Sequence, residues 1–115
     1  MTVDDFRRLA LALPQAQEAA HFGQPDFRVG GKIFATLAAA DRGLGMVALT
    51  PELQEMLVAA EPAVFRPVPG GWGRKGSTHI VLAAADEATL RGALAQAWRQ
   101  RAPRRLAARY ADAAL

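Results

Sequence analysis

The length and composition of the chain exclude several kinds of protein. With 115 residues it has the size of one domain. Because it has no cysteine, disulfides, thiolate metal sites and cysteine nucleophiles are excluded. No apolar run approaches the roughly 18 residues that a membrane-spanning helix needs, and the acidic stretch Thr2-Val3-Asp4-Asp5 is unlike a secretory signal. We therefore predict a single cytoplasmic domain over residues 1–115 that does not bind membranes.

The positive charge is concentrated toward the C-terminus. The net charge of +3 divides into −3 over residues 1–65, with five Lys/Arg and eight Asp/Glu, and +6 over residues 66–115, with nine and three. Twelve of the fourteen basic residues are arginine, whose planar guanidinium suits phosphate contacts. A high arginine content also follows from genome base composition, so the clustering, rather than the content, indicates an acidic partner.

The N-terminal part of the chain predicts a helix and then a short strand. Residues 2–13 have apolar side chains at helical spacing, and Thr2 is the predicted N-cap. Asp4 and Arg8, one turn apart, are predicted to form an ion pair. A strand follows, and residues 23–25 are predicted to form the next turn.

Two adjacent glycines mark the centre of the predicted sheet. Gly30-Gly31 joins two stretches of alternating residues, and two-residue hairpin turns need the positive φ that glycine adopts freely. Alternation places Phe34 on the face opposite to the predicted apolar face. The apolar face itself consists of Phe27, Val29, Ile33, Ala35 and Leu37.

A third strand is predicted over residues 45–49, and a second helix and a basic loop follow it. Residues 51–60 are predicted to form a helix. Thr50 precedes it as the N-cap and a proline takes the first helical position, which is typical of a helix start. Residues 72–76 are rich in glycine and basic side chains and are predicted to form a loop. The side chains of the second helix that are predicted to face the core are Leu53, Met56, Leu57 and Ala60.

The C-terminal part predicts one strand and two helices. Residues 77–83 alternate as a strand, with His79 on the face opposite to Ile80. Asp86 is the predicted N-cap of the next helix, and residues 104–113 form the last one. Short connections between the strands favour antiparallel pairing. The predicted fold is therefore an α+β two-layer sandwich, a curved antiparallel sheet packed by helices.

Three stretches of the sequence, taken together, are similar to one known family. Residues 21–35 read HFGQPDFRVGGKIFA, residues 71–78 read GWGRKGST, and residues 97–106 read AWRQRAPRRL. In this order they resemble the MmcQ/YjbR family of small bacterial proteins. The resemblance implies a compact α+β fold with an antiparallel sheet, similar to a double-wing arrangement. Members of the family are often labelled DNA-binding, and the family has no agreed catalytic residues.

Basic side chains beside glycine turns are the first candidate for a binding site. Cations at such turns can contact the phosphates of nucleic acid, which predicts weak, salt-sensitive DNA binding. The alternative is that charges at hairpin tips only protect sheet edges and keep the protein dispersed. The predicted nucleic-acid-binding residues are Arg28, Lys32, Arg74, Lys75, Arg104 and Arg105, the last two from an arginine run that also includes Arg99, Arg101 and Arg109.

A second hypothesis is a small-ligand- or protein-binding adaptor with a groove near Trp72. Trp72, His21 and His79 are the residues predicted to line its pocket. The alternative is that Trp72 belongs to the core or covers it and that the histidines are half-exposed. Two histidines without a carboxylate at suitable spacing make a poor metal site. We therefore predict a non-enzymatic binding module without catalytic residues, metal or cofactor, which is a monomer or a weak dimer.

Overall fold

An open antiparallel sheet forms the frame of the molecule in the computed structural model, which describes residues 1–110. The strands are β1 (Gln17–His21), β2 (Gln24–Val29), β3 (Lys32–Thr36), β4 (Leu44–Ala48), β5 (Phe65–Pro67) and β6 (Ser77–Val81). The α-helices of the described residues are α1 (Val3–Leu11), α2 (Pro51–Ala60), α3 (Gly71–Arg74), α4 (Glu87–Arg101) and α5 (Arg104–Arg109). The strand order is β1-β2-β3-β4-β6-β5, with every neighbouring pair antiparallel. The predicted α+β fold is confirmed.

A single hydrophobic core lies between the helices and one face of the sheet. Helix α4 packs on β3 and β4, α1 packs on α4, and α2 packs on β5. Burying a large apolar side chain contributes roughly 1.5–3 kcal/mol, so the aromatic side chains dominate this core. The indole of Trp98 also donates a hydrogen bond to the Pro14 carbonyl oxygen at 2.9 Å. The largest fully buried aromatic side chains are Phe6, Phe27, Phe34, Phe65 and Trp98.

The helix starts follow from local chemistry, as predicted. Thr2 accepts a hydrogen bond from the Asp5 amide and Asp5 accepts one from the Thr2 amide, which forms a capping box. Thr50 and Asp86 cap α2 and α4 in the predicted way. The predicted Asp4–Arg8 pair is wrong. Arg8 pairs instead with Asp5 and with Glu87 of α4, because α1 packs against the start of α4.

The turn between β1 and β2 is tighter than the sequence predicted. Phe22 and Gly23, with φ of 51° and 78°, form the two-residue turn, and Gln24 already pairs with His21. The predicted turn over residues 23–25 is therefore wrong. Positive φ is unusual for a bulky side chain such as Phe22, so its turn position could not be read from propensity.

A β-bulge changes the face of Phe34. Arg28 pairs with Ile33 but Phe27 pairs with Ala35, so β3 carries one extra residue at this point. An extra residue breaks the alternation of faces. Phe34 is therefore fully buried, and the prediction that it lies opposite to the apolar face is wrong.

Helix α2 faces the core with a different set of residues from the predicted one. Leu53, Leu57 and Val58 pack against the core, whereas Met56 is 58% exposed and Ala60 is exposed as well. The inclusion of Met56 and Ala60 was therefore wrong. The reason is a polar residue on the inward side, because Gln54 donates hydrogen bonds toward α3 and β6 and sets the rotation of the helix.

The last described helix closes the end of α4. Leu106 is buried, and the Tyr110 ring lies edge-on to Trp98 with 6.3 Å between ring centroids. The predicted continuation of this helix over residues 111–113 lies outside the described residues. Within residues 1–110, no helix combines the length and the apolar character that crossing a bilayer requires.

Candidate functional site

The central hairpin is packed against the corner between α4 and α5. Gly30 and Gly31 have φ of 58° and 79°, which confirms the two-residue glycine turn. Gly30 touches Pro103 so closely that an added Cβ would lie 2.8 Å from the proline Cδ and Cγ. Close to this contact, Lys32, the first residue of β3, lines the same depression as Arg101, which precedes Pro103 by two residues.

Three cationic side chains line an open depression at this hairpin. Its volume is about 490 Å³. No carboxylate lies among the residues that line it, so its lining is cationic. Arg101 belongs to the arginine run seen in the sequence, but its place in this depression depends on the Gly30–Pro103 contact. The lining residues are His21, Arg28, Gly31, Lys32, Ile33 and Arg101.

Arg28 differs from the other cations because it is held by a buried carboxylate. Its Nε donates to Asp26 Oδ1 at 2.8 Å and its Nη2 donates to Asp26 Oδ2 at 3.1 Å. Asp26 is 1% exposed. The hydrogen bonds and the charge of Asp26 raise the pKa of Arg28 further above its ordinary range. The charge of Arg28 is thus largely offset, and Lys32 and Arg101 supply the net charge of the depression.

Arg74 and Lys75 lie at a short helix rather than in a loop. Helix α3 contains Trp72 and ends at Arg74, so the prediction of a loop over residues 72–76 was wrong. Trp72 is 73% exposed and does not cover the core. The Nζ of Lys75 lies 5.8 Å from the centroid of the Trp72 ring.

The two basic regions lie at the same end of the sheet but remain separate. Lys32 begins β3 and Ser77 begins β6, and β4 between them pairs antiparallel with both strands. The starts of β3 and β6 therefore lie two strand spacings apart, which is roughly 10 Å. Arg74 and Lys75 precede β6 at this end and do not line the depression.

His79 is buried on the face of the sheet opposite to the helices. It is 7% exposed and pairs across the strands with Met46 and Arg66. Burial lowers the pKa of His79, and the nearby charges of Arg42 and Arg66 lower it further. A neutral imidazole is thus favoured at this position, and the expectation of a half-exposed histidine was wrong.

The three residues predicted to line a ligand pocket do not come together. His21 lies on β1 and His79 on β6, which are four strand spacings or roughly 19 Å apart. His21 is exposed with its ring edge-on to Phe22 at 4.5 Å, and Phe22 is 93% exposed. Trp72 lies apart from both on α3. Within residues 1–110, no three His, Asp or Glu side chains gather as a metal site would require.

The fold and this surface define a class of small α+β proteins with an open six-stranded antiparallel sheet and cationic side chains at one sheet end. The chain belongs to the YjbR family, whose model matches residues 11–100, and the resemblance to the MmcQ/YjbR family is thereby confirmed. The matched residues include Arg28, Lys32, Arg74 and Lys75, whereas Arg101 lies beyond them.

One solved structure supports the fold. The crystal structure of Deinococcus radiodurans protein DR2400, which carries the family-model domain DUF419, superimposes with a TM-score of 0.70. Its sequence identity to this chain is 22%, and the match covers 86% of this chain and 77% of that one. At this identity the likeness concerns the fold. The search of curated proteins found no match.

Proposed function

We propose that the protein is a non-enzymatic binding module that holds nucleic acid, DNA in particular, by its phosphates. The observation that carries the proposal is the contact between Gly30 and Pro103, which brings cations from two distant parts of the chain to one place. The proposed surface, called the basic end below, combines two separate regions: Lys32 and Arg101 in the depression with the neighbouring residues Arg104 and Arg105 of the sequence, and the pair Arg74 and Lys75 before β6.

The composition of the basic end supports phosphate binding. Arg101 and Lys32 line one open depression in which no carboxylate takes part. Lys75, Arg104 and Arg105 are exposed at the surface. Phosphate contacts from such side chains supply affinity without reading the base sequence. The proposal therefore predicts binding that depends on salt and tolerates many sequences.

A titration of labelled DNA followed by fluorescence anisotropy tests this function. Duplex and single-stranded oligonucleotides are titrated with the protein at low and at moderate salt. We expect binding at low salt that weakens steeply as salt is added, because neutralised phosphates release counterions. If micromolar protein binds neither form of DNA at low salt, the proposal is wrong.

A pair of arginine variants on the same helix tests the location of the site. Arg101→Ala removes a cation from the depression, and we expect it to weaken DNA binding several-fold at low salt. Arg91→Ala is the control, since it removes the same charge from α4 at an arginine that pairs with Glu87 at 2.7 Å. Equal losses for the two variants would show that only total charge matters and that the basic end has no special role.

A further inference from the structure

Trp72 is a large apolar side chain that is exposed to solvent on a closely packed stretch of backbone. It is 73% exposed on the short helix α3. The helix itself is tightly fixed, because an added Cβ at Gly73 would overlap the Val68 carbonyl oxygen and one at Gly76 would overlap the Leu49 carbonyl oxygen. The backbone around Trp72 therefore has little freedom, although its indole faces water.

Hydrogen bonds from α2 add to this rigidity. The Gln54 side-chain amide donates to the Gly73 carbonyl oxygen at 3.0 Å and to the Ser77 carbonyl oxygen at 2.9 Å. Gly73 follows Trp72 directly, and Ser77 begins β6. The backbone that presents Trp72 is therefore ordered before a partner binds and loses little conformational freedom on binding.

The surroundings of Trp72 are cationic. The Nζ of Lys75 lies 5.8 Å from the indole centroid, and Arg74 ends the same helix. Residues 62–85 contain no Asp or Glu at all. An exposed aromatic ring beside cations, in a segment without carboxylates, is complementary to a polyanion that carries flat aromatic rings. It is less complementary to an apolar or a basic protein surface.

We propose that Trp72 is a stacking platform for an unpaired base, so that the protein binds single-stranded nucleic acid in preference to duplex. This inference rests on the proposed function and names its substrate class. Arg74 and Lys75 contact the phosphates next to the stacked base. Duplex DNA keeps its bases stacked on each other and cannot offer a free base face to Trp72 without unpairing.

The intrinsic fluorescence of the two tryptophans provides a direct test. Trp98 is fully buried and Trp72 is exposed, so a ligand that stacks on Trp72 quenches one emission and leaves the other. The probes are a dT oligonucleotide of about 16 nucleotides, near the upper end of the site sizes known for single modules, and a duplex of equal length. We expect quenching by the single strand and at least about fivefold tighter binding than to the duplex, as one stacked base provides.

Three variants separate stacking from other roles of Trp72. Trp72→Ala is expected to weaken single-strand binding by about 5- to 150-fold, and Trp72→Phe to keep most of the affinity while losing the quenching. Met56→Ala is the control, because Met56 is also an exposed apolar side chain, 58% exposed, but lies on α2 directly after Glu55 and one turn after Glu52. We expect no change in affinity for this control.

The outcomes distinguish this inference from the proposed function. If the protein binds nucleic acid but Trp72→Ala binds as tightly as the wild type, the stacking inference is wrong and the proposed function stands. The same holds if the wild type is a dimer that Trp72→Ala dissociates without loss of nucleic-acid affinity, because Trp72 then meets a second copy. If neither single strand nor duplex binds, both proposals fail.

Discussion

Two ionisable side chains, Asp26 and His79, are buried on the face of the sheet opposite to the helices, and they avoid the cost of a lone buried charge in different ways. Asp26 accepts two hydrogen bonds from Arg28 and forms a salt bridge with it. The pKa of His79 is lowered by burial and by the charges of Arg42 and Arg66, which favours the neutral imidazole. Each case leads to a separate prediction.

The stability of the protein is expected to fall as the pH is lowered because of His79. The pKa of His79 in the folded state lies below the ordinary value of 6.5, so the unfolded chain takes up a proton first. The contribution of His79 to the free energy of unfolding is therefore fully present above the ordinary pKa. It decreases as the pH falls from that value toward the pKa of His79 in the folded state. The pKa values of the Asp5 and Asp86 carboxyls are lowered by hydrogen bonds at the helix starts, from an ordinary value that already lies well below that of histidine.

A histidine variant isolates this effect. Urea unfolding of the wild type and of His79→Gln is measured at about pH 7.5 and about pH 5.5, on the two sides of the ordinary histidine pKa. We expect His79→Gln to lose less stability between the two values than the wild type loses. An equal loss in both proteins would show that His79 does not resist protonation in the folded state.

The carboxylate that holds Arg28 is expected to weaken nucleic-acid binding. Asp26→Asn keeps the shape of the side chain and one acceptor oxygen for Arg28 but removes the negative charge beside the depression. We expect tighter DNA binding at low salt and a salt slope that is steeper by about 1, because Arg28 then acts as a further phosphate contact. Anisotropy titrations measure both quantities. Unchanged affinity in a folded variant would place Arg28 outside the interface.

At the scale of elements, the sequence predicts what local chemistry determines. Thr2, Thr50 and Asp86 cap their helices as predicted because a cap needs only a side-chain oxygen next to the first turn. The turn at Gly30 follows in the same way from positive φ. These features depend on neighbours in the chain and not on tertiary contacts.

Tertiary contacts decide the elements that were predicted wrongly. The bulge in β3 buries Phe34 in the core while β3 remains paired with β2. Residue propensities do not predict such a bulge. The exposure of Met56 follows from Gln54, a polar residue whose partners belong to α3 and β6. Periodicity counts apolar positions and therefore misses a polar residue that anchors a helix.

Removal of the Gln54 amide is expected to destabilise the fold. Gln54→Ala removes one donor from the carbonyl oxygens of Gly73 and Ser77, which keep the amides of Gly76 and Val68 as donors. We therefore expect a loss of about 0.5–1.5 kcal/mol of unfolding free energy for each hydrogen bond removed. Gln100→Ala is the control, since Gln100 is an exposed glutamine near the end of α4. Chemical denaturation measures both variants. A loss for Gln54→Ala no larger than that for the control would contradict the anchoring role of Gln54.

At the scale of the whole molecule, the fold could be predicted further than the site. The order of strands and helices, with short connections, was enough for the α+β class, and the three stretches taken together were enough for the family, whose model matches residues 11–100. The candidate site depends on how the hairpin of β2 and β3 packs against the corner between α4 and α5. Arg28 was expected to be a free cation, but Asp26 holds it, and Arg101 belongs with Lys32 only because Pro103 packs on Gly30.

The salt dependence of DNA binding tests the role of the basic end most directly. The affinity for a labelled duplex is measured over a series of salt concentrations for the wild type and for the double variant Lys32→Ala/Arg101→Ala. The control is Arg7→Ala/Arg91→Ala, which removes the same charge at arginines paired with carboxylates.

We expect a wild-type slope of log K against log salt of about −4 to −5, as four to six phosphate contacts give. The double variant should bind more weakly, with a slope shallower by about 2, whereas the control keeps the wild-type slope. A double variant with the same slope and affinity as the wild type, or a wild type that does not bind DNA at low salt, would contradict the proposal that the basic end binds nucleic acid.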